Sequence, residues 1–382
     1  MTLPARGLYL HLPFCLRKCR YCDFTVRVLQ KRTQITRYLE ALGHELKALG
    51  QIPQTLETLY LGGGTPSLLN QAELSVLIAA LRQHLDLSQI KEWTLEVNPE
   101  TGSKAYFEFC RTQGINRISL GIQSFNPAEL EACGRSHRLE DIQTCLQALR
   151  ESGFENISFD LIFGLPGQNL ASWQNTLEQA LNHRPSHLSL YGLEVHAGTE
   201  FGWLEQKQRL SRPHEDEEVA MYQWACERLQ QAGYDHYEIA NWALPGKASQ
   251  HNQLYWLAAP VLAAGVGAHG YWQNRRYANS EDLLHYYAQI ENGHWAWEHT
   301  PVQSPQEAAA ERIMLGLRLL QTGLDAQRFE ADFGLPLTQA SPELLALQAE
   351  GRLFCEQGHW KLAPESVMLS NEIFAQLLEP RL

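Results

Sequence analysis

Residues 10–24 read Leu-His-Leu-Pro-Phe-Cys-Leu-Arg-Lys-Cys-Arg-Tyr-Cys-Asp-Phe, with Cys15, Cys19 and Cys22 spaced as C-x3-C-x2-C. Thiolates this close along the chain converge only if the loop wraps around something. Cysteine thiolate is the standard protein ligand of iron–sulfur clusters, and three such ligands leave one iron of a four-iron cluster open. An open coordination position is a place for chemistry. Two alternatives stand beside this reading. One is a zinc knot with His11 as fourth ligand, although zinc sites usually pair their cysteines as C-x2-C. The other is three unrelated buried thiols.

Outward from this loop, short β-like runs alternate with helical patterns. Residues 7–11 lead into the cysteines as a strand, and residues 33–50 follow with Ile35, Leu39, Leu42, Leu46 and Leu49 at helical spacing. Strand patterns recur at 56–61, 92–97, 117–122, 156–162 and 187–190. Helical patterns follow at 70–85, 103–113, 139–152, 170–182 and 215–233. Asn70 and Glu73 are spaced as an N-terminal cap pair. Six β–α units in succession predict parallel strands with helices outside, and barrels of this kind place working residues at the C-terminal ends of strands. Residues 234–239 read as a further strand, and a Gly- and aromatic-rich stretch runs on to about residue 279. Helical runs at 306–320, 326–333 and 342–350, then a hairpin at 353–362, predict a winged-helix-like C-terminal domain without a basic recognition face. It reads as a lid or docking domain.

Three further stretches bear chemistry. Gly62-Gly63-Gly64-Thr65-Pro66 follows the second strand, where glycines let a backbone approach a ligand closely; a tight turn is the alternative. Glu96 ends the third strand, where a carboxylate accepts hydrogen bonds or is merely solvated. Asp160 interrupts an apolar strand, so an unpaired charge there would be expensive; Arg135 or a cofactor hydroxyl is the expected partner. His251-Asn252-Gln253-Leu254-Tyr255-Trp256 offers an imidazole able to bind haem iron and aromatics able to pack on the macrocycle. A histidine packed or hydrogen-bonded in a loop is the alternative. His11, His137, His196 and His269 are further histidines available as a second ligand.

Tyr9-Leu10-His11-Leu12-Pro13-Phe14-Cys15 and the cysteine run resemble the radical S-adenosylmethionine family, in its coproporphyrinogen-oxidase branch with the haem-chaperone relatives. The resemblance covers nearly the whole chain and is most specific at residues 9–24, 62–66, 160–167 and 251–256. It implies an α/β fold: an open, partial six-unit (β/α)6 barrel over residues 1–235, a linking segment over 236–300, and a smaller, mainly α domain over 301–382. It implies a [4Fe-4S] cluster on Cys15, Cys19 and Cys22, with adenosylmethionine chelating the open iron. Tyr9, Tyr21, Gly63, Gly64, Thr65, Glu96, Gln123, Arg135 and Asp160 match cofactor-contacting positions of the branch. One-electron cleavage of the sulfonium, giving methionine and a 5′-deoxyadenosyl radical, is the chemistry implied.

Two departures separate the chain from the oxidase pattern. That enzyme has a cysteine two residues after its third cluster ligand, where this chain has Phe24, and it has an N-terminal extension, where this chain has 14 residues before Cys15. The string His-Asn-x-x-Tyr-Trp is similar to the haem-chaperone signature. The function implied is to bind haem, through His251, and pass it to an acceptor haemoprotein, with an electron donor serving the cluster. The alternatives are an oxygen-independent coproporphyrinogen III oxidase and a radical enzyme on an unrelated substrate.

Bulk properties agree. A net charge of −12 argues against a nucleic-acid partner. Cys110, Cys133, Cys145, Cys226 and Cys355 have no framework spacing, as expected in a reducing compartment. The N-terminus lacks a signal pattern. The uncharged stretch at residues 253–269 is broken by Pro260, Gly265 and Gly267 and falls short of the roughly 20 apolar residues of a spanning helix. The expectation is a cytoplasmic protein without a transmembrane segment, which leaves peripheral membrane contact open.

Overall fold

A computed structural model describes residues 3–381. Its centre is six parallel strands: β1 (Ala5–Leu12), β2 (Gln54–Gly63), β3 (Glu92–Val97), β4 (Arg117–Gln123), β5 (Ile157–Phe163) and β6 (His187–Gly192). They lie side by side in chain order, and each neighbouring pair is parallel. Helices Thr33–Leu49, Gln71–His84, Lys104–Thr112, Leu139–Glu151, Leu170–Asn182 and Glu215–Gln231 follow them in turn. The expected (β/α)6 core is the observed one, and the sheet does not close on itself.

Period-two alternation explains why this sheet has a wet side. Leu59, Leu61, Ile118, Leu120 and Ile122 are buried in the core shared with the helices. Tyr60, Arg117, Ser119 and Gly121, one residue out of step, line a cavity. The helices answer with matching apolar stripes: Ile35, Leu39, Leu42, Leu46 and Leu49 are all buried. Asn70 and Glu73 form the predicted capping box at the start of Gln71–His84.

The stretch read as a link, residues 236–300, contributes short strands to this sheet. β7 (Asp235–Glu238) and β8 (Asn241–Ala243) extend it antiparallel beyond β6. β9 (Val261–Ala264) pairs parallel with β1, and β10 (His269–Trp272) and β11 (Arg275–Ala278) continue from it. The resulting order is β11-β10-β9-β1-β2-β3-β4-β5-β6-β8-β7. A fully buried carboxylate ties this segment to the first helix. Glu45 accepts from the Gly265 amide (2.8 Å), Asn279 (2.6 Å) and the Tyr286 hydroxyl (2.7 Å). Such a group is tolerated inside because its lone pairs are satisfied.

The C-terminal part has helices Pro305–Leu317, Ala326–Phe333 and Glu343–Ala349, then the predicted hairpin, Leu353–Glu356 with His359–Leu362. Gln357 and Gly358 turn it with left-handed φ values of 52° and 84°. This domain meets the barrel through Arg276–Glu311 (2.6 Å) and Arg312 to the Leu257 carbonyl (3.0 Å). The Arg318 guanidinium also stacks over Trp256 at 4.4 Å.

Candidate cofactor site at the strand ends

Cys15 follows β1 directly, and the loop carrying Cys19 and Cys22 folds over the ends of β1 and β2. The glycine loop is knitted to it: the Gly64 amide donates to the Leu12 carbonyl (2.9 Å) and the Thr65 amide to Phe14 (2.8 Å). Two donors reach the sulfurs, Thr65 Oγ1 to Cys15 Sγ (3.6 Å) and Arg135 Nη1 to Cys19 Sγ (3.5 Å). All eight cysteines are free. Burial raises the Cys15 thiol and pushes Cys22 up to about 11, so iron binding itself must displace their protons.

The donor set fits a cluster better than a single ion. Its three cysteines are free thiols on one loop, and a cluster takes thiolates spread over several irons. His11 is not poised as a zinc ligand: its Nδ1 meets the Tyr9 hydroxyl (3.0 Å) and its Nε2 the Thr25 carbonyl (2.8 Å).

Below the cysteines opens a cavity of about 450 Å³, within the range of roughly 300–1,000 Å³ usual for small-molecule sites. Tyr21, Gly63, Gly64, Thr65, Glu96, Gln123, Arg135 and Asp160 line it together with the three cysteines. Tyr9 stands behind Tyr60, ring centroids 5.9 Å apart. Tyr21 packs on Phe201 at 6.4 Å. Gly63 needs to be glycine: its φ is +113°, and a Cβ there would sit 2.6 Å from the His11 ring. Gln123 ends β4 at φ +68°, a left-handed conformation costing about 1–2 kcal/mol for a side-chain-bearing residue. Its side-chain amide lies beside Gly121 in the cavity wall.

Glu96 accepts from the Tyr60 hydroxyl (2.8 Å) and the Gly63 amide (2.9 Å). Burial, with the negative Asp160 nearby, lifts its pKa to about 7 despite those donors. Asp160 is held by Ser119 Oγ at 3.2 and 3.0 Å. Burial raises it too, while hydroxyls and the positive Arg117 pull it back.

Of the two partners expected for Asp160, Arg135 is not the one it meets. Arg135 instead donates to Asn98 (2.8 Å) and the Gly121 carbonyl (2.7 Å) and reaches toward the cluster loop. Sequence reasoning missed Arg117, which is buried at the start of β4 and whose Nε has no hydrogen-bond partner. The only signal was a cation in phase with Ser119 and Gln123 on one strand face. Tyr60 was missed as well, hidden as an aromatic within Leu-Tyr-Leu.

His251 lies elsewhere than a surface loop. It belongs to the short helix Gln250–Trp256, is 1% exposed, and both ring nitrogens are engaged. Nδ1 is 2.7 Å from Thr58 Oγ1 and Nε2 is 3.1 Å from the Tyr255 hydroxyl. Burial, with the nearby Arg117 charge, lowers its pKa to about 3. Its neighbour Asn252 lines the cavity. Of the other histidines, His137 is buried beside Arg135 (3.4 Å), and His269 is exposed on β10. His196 lines the cavity with Phe24, its Nε2 3.3 Å from Asp23.

Comparison with known proteins follows the same outline. The Radical SAM superfamily model matches residues 9–180, and the HemN C-terminal domain model matches residues 303–369. The heme chaperone HemW of Bacillus subtilis is 34% identical over 379 residues, covering 98% of this chain and 99% of the relative. That of Synechocystis is 38% identical over 320 residues, covering 81% and 77%. The structure is similar to that of coproporphyrinogen III oxidase (HemN) from Escherichia coli, with TM-score 0.85 and 24% identity over 98% of this chain and 90% of that one. With the cysteine loop, the glycine loop and both family segments in place, this chain belongs to the radical SAM superfamily and, within it, to the family of the HemW haem chaperones.

Proposed function

We propose that this protein binds haem and transfers it to an acceptor haemoprotein, with a [4Fe-4S] cluster on Cys15, Cys19 and Cys22 and adenosylmethionine in the adjoining cavity. The observation that carries the reading is the end-to-end similarity to proteins named haem chaperones. Phe24 supports it: 60% exposed at the cavity, it stands where the oxidase pattern has a cysteine. When bound, the cluster supplies one-electron chemistry. The protein's own side chains bind and orient. Thr65 and Arg135 donate to the thiolates, the glycine loop admits the methionine end, and Glu96 and Asp160 accept hydrogen bonds from amino and hydroxyl groups.

An electron donor would approach across the exposed Arg17 and Lys18 beside the cysteines. Free thiols suit a reducing compartment, which supports a place in the cytoplasm. No helix among the described residues is long and apolar enough to cross a membrane. Haem ligation by His251 asks one imidazole nitrogen to leave its partner, Nδ1 from Thr58 or Nε2 from Tyr255, while the other keeps its hydrogen bond. Burial keeps that imidazole neutral, the form that binds iron.

The test is to offer anaerobically reconstituted protein haem and coproporphyrinogen in parallel. Haem should bind and pass to an apo-acceptor, and coproporphyrinogen should be recovered unchanged. Decarboxylation at an ordinary enzymatic rate, about 1 s⁻¹ or more, would replace this reading with the oxidase.

The Glu96 pKa adds a pH expectation. Its ionised form is the acceptor, and that form is lost as pH falls through about 7. Adenosylmethionine affinity should therefore fall about tenfold for each pH unit below that point, measured by calorimetry at constant cluster content. A flat profile would show that Glu96 does not hold the ligand in its charged form.

A further inference from the structure

The string His-Asn-x-x-Tyr-Trp is physically joined to the adenosylmethionine cavity. Thr58 and Tyr60 lie two residues apart on β2 and so share a face. Thr58 fixes His251 Nδ1 at 2.7 Å, and the His251 ring then lies against the Tyr60 ring, centroids 5.1 Å apart and planes at 33°. Tyr60 passes its hydroxyl to Glu96 at 2.8 Å, and the other oxygen of Glu96 accepts from the Gly63 amide at 2.9 Å. An unbroken series of contacts thus runs from His251 to the glycine loop.

Space around Tyr60 decides what this series does. At Gly62 even a Cβ would lie 2.8 Å from the Tyr60 ring, 2.9 Å from Tyr9 and 3.0 Å from Glu96 Oε1. That side is full, and the imidazole lies against the ring as well, so its removal leaves Tyr60 less firmly packed and able to turn its hydroxyl off Glu96 toward the cavity it lines. A helix that carries Asn252 into the cavity wall and Trp256 under Arg318 of the C-terminal domain holds the imidazole from behind.

We infer that His251 is a positioning residue of the adenosylmethionine cavity: its ring, pinned by Thr58 and Tyr255, holds Tyr60 in place to orient Glu96. The inference rests on the reading of that cavity as the adenosylmethionine site and needs no haem.

Calorimetry of adenosylmethionine binding to haem-free, cluster-reconstituted protein tests it. His251→Ala and Tyr60→Phe should each weaken binding about tenfold, the loss of one hydrogen bond to a charged acceptor. The double variant should bind about as weakly as Tyr60→Phe alone, because both changes break the same contact. His251→Phe keeps a ring against Tyr60 and should return affinity to about twofold of the native value, although it has no nitrogen for iron. If His251→Ala does not hold its cluster, His251→Asn, which keeps a polar group for Thr58 but takes the ring off Tyr60, takes its place in the same cycle. Native affinity in the alanine variant, or losses that multiply in the double variant, would overturn the inference. Native protein that binds no adenosylmethionine would overturn both it and the reading of the cavity, whatever the outcome with haem.

Discussion

Replacing any one of Cys15, Cys19 and Cys22 by alanine is expected to abolish the cluster: iron after anaerobic reconstitution should drop from about four per chain to near zero. The three thiols sit on one loop, and Arg135 and Thr65 donate to two of them. Two remaining thiolates leave half of a four-iron cluster without protein ligands. Burial also opposes ionisation of Cys15 and Cys22, so affinity depends on simultaneous coordination. Cys226→Ala and Cys355→Ala are the matched controls, on the helix Glu215–Gln231 and the strand Leu353–Glu356. Both should keep full iron and the broad visible absorbance. Stoichiometric zinc without that absorbance in native protein, or full iron in Cys15→Ala, would remove the cluster from the account.

The glycine loop should divide into two effects. At Gly64 an added Cβ would lie 2.7 Å from the Phe14 carbonyl and 3.0 Å from Cys15 Sγ, within the cluster loop itself. Gly64→Val is thus expected to lose both cluster and adenosylmethionine binding. At Gly63 the clash falls on His11, and φ is +113°. Backbone strain of about 1–3 kcal/mol corresponds to roughly ten- to hundredfold in affinity. Gly63→Ala should therefore keep its iron and weaken adenosylmethionine binding by that factor, read by iron analysis and calorimetry on one preparation. Equal behaviour of the two variants would mean that the loop acts as a turn and not as a cofactor cradle.

Much of this protein was legible along the chain because its signals are local. The C-x3-C-x2-C loop lies within eight residues. The period-two runs before Cys15 and around Tyr60 and Ser119 mark strands without any partner being known. The Asn70–Glu73 box and the 3.6-residue spacing from Ile35 to Leu49 mark helices in the same way. Even the C-terminal hairpin announced itself through Gly358.

What the tertiary structure alone decided are the contacts made across the sheet. Glu96 takes its hydrogen bonds from Gly63 and Tyr60, one strand away and more than 30 residues back. Strand register sets Asp160 opposite Gly121 and within reach of the Ser119 hydroxyl, not against Arg135. Beyond the strand run at 234–239, the short strands of residues 241–278 look like loops until β6 and β1 offer them edges. His251 lies 193 residues from Thr58, and no spacing rule connects them. A residue's type fixes which bonds its side chain is able to make. Which of those it makes depends on what packing brings within 3 Å, and in a parallel sheet that neighbour comes from a distant part of the chain.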